Sequence, residues 1–363
     1  MNQRAKTAMA AALACVTLVT SAVAEESPYR KSLTERSKKE GFGRAEAKTL
    51  SVVVTSDRGK TAERLRKEAS SGTLGKLLAL SFDKPSQNGK KTVSFVAEQG
   101  YLQVYADGSR FRLRGDLGKV KPTEANGGKE RIEIHRLEKI ARDYVQGPLK
   151  EFIGLQDAEA LTFLGSRYFR QGGGSVAGDK GKEYLVANIA ILGREIHGIP
   201  VVGSGSKIAV WLTPEAEVVG VDVDWPQYER GEKAQPLLSV EELRRRIAAA
   251  SVPVEDTEKV KVVRFECGYV DLGATRRLAG APVQPGCAIS YRGVEVDEME
   301  GAFARQDFVP AAQQVYPDER WPLANFIAWN GEPKPGQSYA TPRSEVPQSD
   351  PSPDQRDLLP SKK

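Results

Sequence analysis

Histidine is almost absent from this chain of 363 residues, which contains only two, His135 and His197. A zinc site of the peptidase type needs two histidines one helical turn apart on a helix, with a glutamate between them. The two histidines lie in different segments, and Glu195-Ile196-His197 has the wrong spacing. The sequence therefore excludes this kind of zinc site, and we predict neither a metal centre nor a cofactor.

The sequence also lacks the patterns of nucleophilic enzymes and of phosphate-binding loops. The nearest approach to a Gly-x-Ser-x-Gly elbow, Gly203-Ser204-Gly205-Ser206, precedes a predicted strand, whereas an elbow leads into a helix. Gly172-Gly173-Gly174 is not followed by a Lys-Ser/Thr pair, so we interpret it as a turn. We predict that the protein is not an enzyme.

A strong charge of one sign is missing as well. The formal net charge is +5, which is close to neutral for a chain of this length and argues against a polyanionic partner. Arg110-Phe111-Arg112 interleaves basic and aromatic residues, a pattern that can stack on nucleic-acid bases. The near-neutral charge outweighs this pattern, and we predict no nucleic-acid partner.

Long apolar runs are confined to the N-terminus. The run at residues 7–22 follows Arg4 and Lys6 and ends in Ala22-Val23-Ala24, which is the layout of a secretory signal peptide. We predict cleavage after Ala24 and export to the periplasm or the medium, with no transmembrane segment in the mature chain. A lipoprotein attached through Cys15 is the alternative.

Cysteine is scarce, with three residues in the whole chain. Cys15 lies in the predicted signal peptide, which leaves Cys267 and Cys287. An even number of cysteines in an exported chain favours a disulfide, which would stabilise the fold by roughly 3 kcal/mol. Two unrelated buried thiols are the alternative.

Composition and hydrophobic periodicity divide the rest of the chain into segments. Residues 25–48 form a polar, basic leader, and residues 331–363 are rich in proline and predicted to be disordered. Between them we predict an N-terminal α+β unit at 49–130, an α+β domain at 131–236 and a second such unit, with the disulfide, at 237–330.

The best-specified element is a hairpin formed by residues 206–212 and 218–225. Its alternation pairs Leu212 with Val219, and the same register makes one face wholly apolar. Trp211 then lies on the outer face beside a glycine, either exposed to a partner or covered by the segment at 321–329. Asp222 and Asp224 also suit paired carboxylates or calcium ligands, or a solvated face. The candidate binding face comprises Trp211, Lys207, Asp222 and Asp224.

The motif Gly198-Ile199-Pro200-Val201-Val202-Gly203, between a long strand and this hairpin, resembles the fungalysin/thermolysin propeptide domain. The helix that begins with a capping box at Ser239 and Glu242, with its following strands, resembles the PepSY domain. The likeness covers about residues 130–300. It implies cystatin-like, PepSY-like units and an inhibitor or folding aid that acts in trans on a secreted peptidase.

These observations predict an α+β fold in which antiparallel sheets are each packed by a helix, with a disordered C-terminal tail. Two functions are compatible with them. The first is an exported, non-enzymatic binding module with a protein partner, such as a secreted peptidase. The alternative is a secreted hydrolase that depends on carboxylates, which needs two acids flanking a cleft.

Overall fold

The computed structural model describes residues 28–37, 45–53, 57–72, 74, 78–83, 85–89, 91–106, 108–172, 181–249, 260–274, 277, 280, 282–293 and 305–313. The predicted signal peptide, the tail at 331–363 and the segment at 321–329 lie outside these residues. None of the helices in the described ranges combines the length and apolarity that a membrane crossing requires.

The helices are α1 (Pro28–Ser37), α2 (Arg58–Ser71), α3 (Ile134–Gln146), α4 (Lys150–Ile153) and α5 (Val240–Ala249). The strands of the N-terminal half are β1 (Glu46–Val53), β2 (Gln87–Asn88), β3 (Thr92–Ala97), β4 (Gly100–Tyr105), β5 (Arg110–Gly115), β6 (Thr123–Glu124), β7 (Glu159–Gly172) and β8 (Glu183–Ile196). The later strands are β9 (Ile199–Gly203), β10 (Lys207–Leu212), β11 (Val218–Asp224), β12 (Gln227–Pro236), β13 (Val260–Asp271), β14 (Pro282–Val283), β15 (Pro285–Gly293) and β16 (Arg305–Pro310).

The predicted fold class is wrong, because strands dominate the described residues and join into one extended sheet. Thirteen strands are connected in the order β16-β15-β13-β9-β8-β10-β11-β5-β4-β3-β2, with β6 and β7 also paired to β8. A second sheet has the order β12-β1-β14. Separate antiparallel sheets, each with its own helix, are therefore not present among these strands.

Strand β9 is the reason that the sheet continues across the molecule. Its first residues pair antiparallel with β8, and its last residues pair parallel with β13, where Val202 lies opposite Val270. Hydrophobic periodicity identifies a strand but does not identify which distant strand completes its hydrogen bonds. The sequence therefore predicted separate sheets where the chain makes one mixed sheet.

The largest core lies between one face of this sheet and helices α2 and α3. The predicted stripe of α3 is buried through Leu137, Ala141 and Val145, and Leu65 of α2 joins the same core. Sheet residues such as Val210 are fully buried beneath the helices. The amphipathic pattern of α3 therefore places the helices on this side and leaves the other side of the sheet to polar and aromatic residues.

The hairpin β10–β11 keeps the predicted register over most of its length. Trp211 lies opposite Gly220 and Lys207 lies opposite Asp224, as predicted. Leu212 pairs with Val218 instead of Val219, because the turn holds Ala216 in the left-handed region at φ 73° and closes with Thr213 N–H donating to Glu217 O at 2.8 Å. Val219 is half-buried instead of lying in the core.

The two cysteines lie directly opposite each other on β13 and β15 and are joined by a disulfide bond. Cys287 is fully buried, and both sulfur-bearing residues belong to a core that also contains Leu33 of α1. Helix α1, which falls within the predicted basic leader, packs on β13, and Ser32 Oγ accepts from Val262 N–H at 2.8 Å. The disulfide therefore crosslinks the two strands beneath α1.

A buried charged network connects β13 to the hairpin β10–β11. The Asp271 carboxylate accepts hydrogen bonds from Ser206 Oγ at 2.7 Å and from Tyr228 Oη at 2.8 Å. Arg277 contacts Asp271 at 2.9 Å and also donates to Asp224, at the end of β11. We call this the Asp271 junction, and its members are Asp224, Ser206, Tyr228, Asp271 and Arg277.

Glycines allow the chain to approach this junction closely. A Cβ on Gly205 would lie 2.3 Å from the Asp271 carboxylate, and Gly203 has φ 103° with its backbone against Asp271 O. The pattern Gly203-Ser204-Gly205-Ser206 is therefore explained by a buried carboxylate and a tight turn. Its serine at 206 is fully buried and acts as a hydrogen-bond donor to that carboxylate.

The two carboxylates of the junction titrate differently. Burial by itself would raise the pKa of Asp271, but Arg277 and the hydrogen bonds from Gly273 and Ser206 hold it below the usual value. Burial raises the pKa of Asp224 above its usual value, although Arg277 opposes this shift. The charged form of Asp271 is therefore favoured by the fold, and the charged form of Asp224 is not.

We predict that Asp271→Asn destabilises the protein far more than Asp224→Asn. Removing the favoured buried charge should cost about 3–5 kcal/mol, whereas neutralising Asp224 removes a charge that burial disfavours. Urea unfolding at pH 7, with the disulfide intact, measures both changes. An equal or larger loss for Asp224→Asn would contradict this assignment.

The same pKa directions predict an acid dependence. Because the folded pKa of Asp271 lies below that of the unfolded chain, about 3.9, its stabilisation is complete above that value. It is lost as the pH falls through the folded pKa. Asp271→Asn should therefore flatten the decline of unfolding free energy below about pH 4. If the unfolding free energy of this variant declines below about pH 4 as steeply as that of the wild type, Asp271 is not the group that causes the decline.

Candidate functional site

The candidate site is the side of the large sheet that faces away from helices α2 and α3. In β5, Phe111 and Leu113 are buried in the core, so the alternating Arg110, Arg112 and Arg114 lie together on the other side. Aromatic residues of the neighbouring strands flank this row. We call it the arginine–aromatic face, and its members are Tyr101, Tyr105, Arg110, Arg112, Arg114, Phe169, Trp211 and Asp222.

Arg114 lies across two strands and covers the indole ring of Trp211. Its guanidinium carbon is 3.5 Å from the ring centroid, which is within the range of a cation–π interaction. Phe169 contributes a second ring, whose centroid is 6.1 Å from that of Trp211. Trp211 is therefore half-buried on the outer face with Arg114 above its ring, and the segment at 321–329, the alternative cover, lies outside the described residues.

Gly220 makes this arrangement possible. It lies directly opposite both Arg114 on β5 and Trp211 on β10. A Cβ at this position would be 2.9 Å from Arg114 Cγ and 3.0 Å from Leu113 O. The missing side chain therefore leaves the space through which Arg114 crosses β11 to reach the indole ring.

Asp222 orients two of the three arginines. Arg114 Nη2 donates to Asp222 Oδ2, and Arg112 Nε lies 3.9 Å from Asp222 Oδ1. Asp222 is directly opposite Arg112 in the ladder between β11 and β5. One carboxylate thus restrains two guanidinium groups that share the same side of the sheet, and the third arginine, Arg110, lies opposite Asp224.

Tyrosine rings on β4 complete the face. The guanidinium carbon of Arg110 is 4.4 Å from the centroid of the Tyr105 ring, and that of Arg112 is 6.0 Å from it. Tyr101 lies opposite Arg114, and burial raises the pKa of its hydroxyl above the usual value. Tyr101 is therefore a neutral support beside the arginines at physiological pH.

Several polar atoms of the face lack a hydrogen-bond partner within the described part of the chain. They are Arg112 Nε, Arg114 Nε, Trp211 Nε1 and Asp222 Oδ1. Buried polar atoms are usually paired, so these three donors and one acceptor are places where an additional group is expected to bind. Among the described residues, no group of three His, Cys, Asp or Glu side chains is placed to share a metal ion.

The four residues predicted as a binding face lie along the hairpin and differ in their contacts. Trp211 and Asp222 belong to the arginine–aromatic face, and Asp224 lies opposite its Arg110. Lys207 Nζ donates to Gly203 O and to Gly205 O, and burial lowers its pKa. Asp224 is also engaged by Arg277 of the Asp271 junction. Lys207 and Asp224 therefore contribute to the loops at this end of the hairpin.

Arg110, Arg112 and Arg114 were not predicted as site residues, although the sequence contains one signal for them. Arg110-Phe111-Arg112-Leu113-Arg114 alternates without interruption, which is typical of a strand with one buried face and one basic face. The comparison of this stretch with nucleic-acid patterns did not identify the strand that pairs with β5. The pairing of β5 with β11, which brings Trp211 and Asp222 beside these arginines, is non-local and has no local signal.

We predict that Gly220→Ala displaces Arg114 from Trp211 and changes the indole N–H resonance of Trp211. Arg114→Ala should change the same resonance, because both substitutions remove the cation above the ring. Two-dimensional ¹⁵N NMR measures this, with Trp211→Phe used to assign the signal. The matched control is Gly172→Ala, since a Cβ there meets its nearest neighbour, Glu183 Cγ, at an ordinary 3.6 Å. An indole resonance that Gly220→Ala leaves unmoved would contradict the proposed role of Gly220.

Comparison with known proteins adds little to this geometry. No protein-family model and no curated protein matches the chain. Among solved structures, an uncharacterized protein from Eubacterium rectale is similar with a TM-score of 0.45 and 11% sequence identity. The similarity covers 75% of this chain and 87% of that one. A likeness this weak carries no argument about either fold or function, and the site is interpreted from its own residues.

Proposed function

We propose that this protein is a non-enzymatic binding module that holds an extended, acidic segment of a partner protein on the arginine–aromatic face. The observation that carries the proposal is the row of Arg110, Arg112 and Arg114, restrained by Asp222 and set between tyrosine and tryptophan rings. Three half-buried cations on one side of a sheet outnumber the two carboxylates opposite them, Asp222 and Asp224, and this excess favours an anionic ligand.

The spacing of the row favours an extended ligand. Alternate residues of a strand are about 6.8 Å apart, so the three arginines repeat at that interval along β5. Acidic residues at alternate positions of an extended peptide repeat at the same interval. A segment that lies along β5 can therefore place one carboxylate near each guanidinium group.

The restraint of the arginine side chains favours tight binding, in addition to the effect of their charge. Asp222 and the rings of Tyr105 and Trp211 limit the rotamers of the three side chains. A ligand then loses less conformational entropy on binding than it would against freely rotating arginines. Tryptophan, tyrosine and arginine are also the residues most enriched where interfaces contribute most binding energy.

The carboxylate-dependent hydrolase is not supported by a comparable site. Among the described residues, Asp224 and Asp271 are two acids that share Arg277 inside the Asp271 junction, and the Asp271 side chain is only 3% exposed. Glycan hydrolysis needs two carboxyl groups on opposite sides of a cleft that a sugar can enter. The junction offers structural ion pairs in a place that a substrate does not reach.

Export and the class of partner belong to the same proposal. The Cys267–Cys287 disulfide supports an oxidising compartment, in which such bonds form and persist. The resemblance of residues 130–300 to propeptide and PepSY domains makes a secreted peptidase the first partner to test. The protein would then act in trans as an inhibitor or folding aid.

We predict that a peptide with glutamates at alternate positions, Thr-Glu-Val-Glu-Thr-Glu-Val, binds more tightly than an isomer with its three glutamates adjacent. Arg112→Gln should weaken binding of the alternating peptide about tenfold, and added salt should weaken it further, because the attraction is electrostatic. Isothermal titration calorimetry measures these affinities.

The matched control for this prediction is Arg136→Gln, which removes an exposed arginine of α3, on the helix side of the sheet. It should leave the affinity unchanged. Equal affinity for both peptides, or an equal loss in the two variants, would contradict binding at the arginine–aromatic face.

A further inference from the structure

We infer that a separate cavity, beside the small sheet, binds a carboxylate that is attached to an apolar group. The cavity has a volume of about 410 Å³ and lies where β1 and β12 meet the turn between β8 and β9. Its size is within the range of pockets for small molecules. We call it the basic cavity, and its lining includes Glu46, Lys48, His197, Ile199, Arg230 and Tyr269.

The charged groups of the basic cavity are positioned by the pairing of β1 with β12. The ladder shifts register between Lys48 and Leu50, and Leu50 then pairs with Arg230, so two cations lie close together on adjacent strands. Lys48 Nζ donates to Glu232 O at 3.2 Å. With Glu46 as the opposing charge, the lining carries one net positive charge, which suits a monovalent anion.

His197 is held at the rim by Arg230. The two side chains meet at 2.5 Å between Arg230 Nη1 and His197 Nε2. Because a guanidinium group can only donate, Nε2 accepts this hydrogen bond, and the imidazole proton is on Nδ1. A neutral histidine therefore helps to orient the arginine and adds no second positive charge.

The backbone conformation at His197 indicates that the histidine side chain itself is needed at this position. His197 and Gly198 form the two-residue turn between β8 and β9, with φ of 51° and 76°. A turn of this kind favours asparagine and glycine, because other side chains are strained at positive φ. Histidine in the first of these positions suggests that its side chain, and not the turn, determines the residue.

The apolar part of the lining comes from Ile199 and Tyr269, which are 4% and 2% exposed. Tyr269 Oη donates to Lys48 O at 2.9 Å, so the ring is fixed beneath the strand that carries the cation. A charged rim above an apolar floor matches a ligand whose carboxylate is joined to a hydrocarbon group. A free inorganic anion would leave the floor unused.

Gln235 is an independent sign of a missing ligand group. Its side chain is 4% exposed, and neither amide atom has a hydrogen-bond partner among the described residues. Gln235 lies directly opposite Ala47, which lines the basic cavity. A buried amide without partners is costly unless something else satisfies it, and its position opposite Ala47 puts this amide next to the lining of the basic cavity.

The test uses the full chain and three probes: N-acetyl-leucine, its uncharged amide, and the tripeptide N-acetyl-Gly-Gly-Leu. We expect N-acetyl-leucine to bind with a dissociation constant near the millimolar range or below, and the amide to bind at least tenfold more weakly. Tighter binding of the tripeptide would identify the end of a polypeptide chain as the source of the carboxylate. Equal binding would identify a small acid.

Substitutions locate the site. Arg230→Gln and Lys48→Gln should each weaken N-acetyl-leucine binding about tenfold, and Gln235→Leu should weaken it without lowering the midpoint of urea unfolding. Arg136→Gln, at an exposed position of α3, is the control and should have no effect. The inference is overturned if N-acetyl-leucine does not bind, if the amide binds equally well, or if both Arg230→Gln and Lys48→Gln bind like the wild type.

Discussion

The position of Arg277 between Asp271 and Asp224 is the interaction on which the architecture depends. Asp271 ends β13, Asp224 ends β11, and Arg277 follows both in the chain and bonds to each of them. Tyr228 of β12 donates to the same Asp271 carboxylate. Loss of Asp271 would leave the buried guanidinium group without the carboxylate that the fold keeps charged, so this contact fixes how the strands meet.

The arginine–aromatic face follows from that constraint. Once the end of β11 is held by Arg277, the ladder between β11 and β5 places Asp222 beside Arg112 and Gly220 beside Arg114. Arg114 can then cross the gap at Gly220 to reach Trp211. The register between β11 and β5 thus determines both the packing of the core on one side of the sheet and the position of the restrained arginines on the other side.

Local patterns in the sequence predicted local structure well. The capping box of α5 forms, with Ser239 Oγ accepting from Glu242 N–H at 3.2 Å, and the inward residues of α3 and β10 are buried. The continuity through β9 and the contact between Arg114 and Trp211 were not predictable, because each joins segments far apart in the chain. Periodicity specifies the buried side of a strand, and only the folded chain determines its neighbours.

The central claim is that the arginine row recognises carboxylates at matching positions of an extended partner. A charge-reversal cycle tests it most directly, with Arg112→Glu in the protein and lysine in place of the middle glutamate of the alternating peptide. The account predicts that each change alone weakens binding and that the two together restore much of it, which gives a favourable coupling energy. Losses that simply add, with no recovery in the doubly changed pair, would contradict the account.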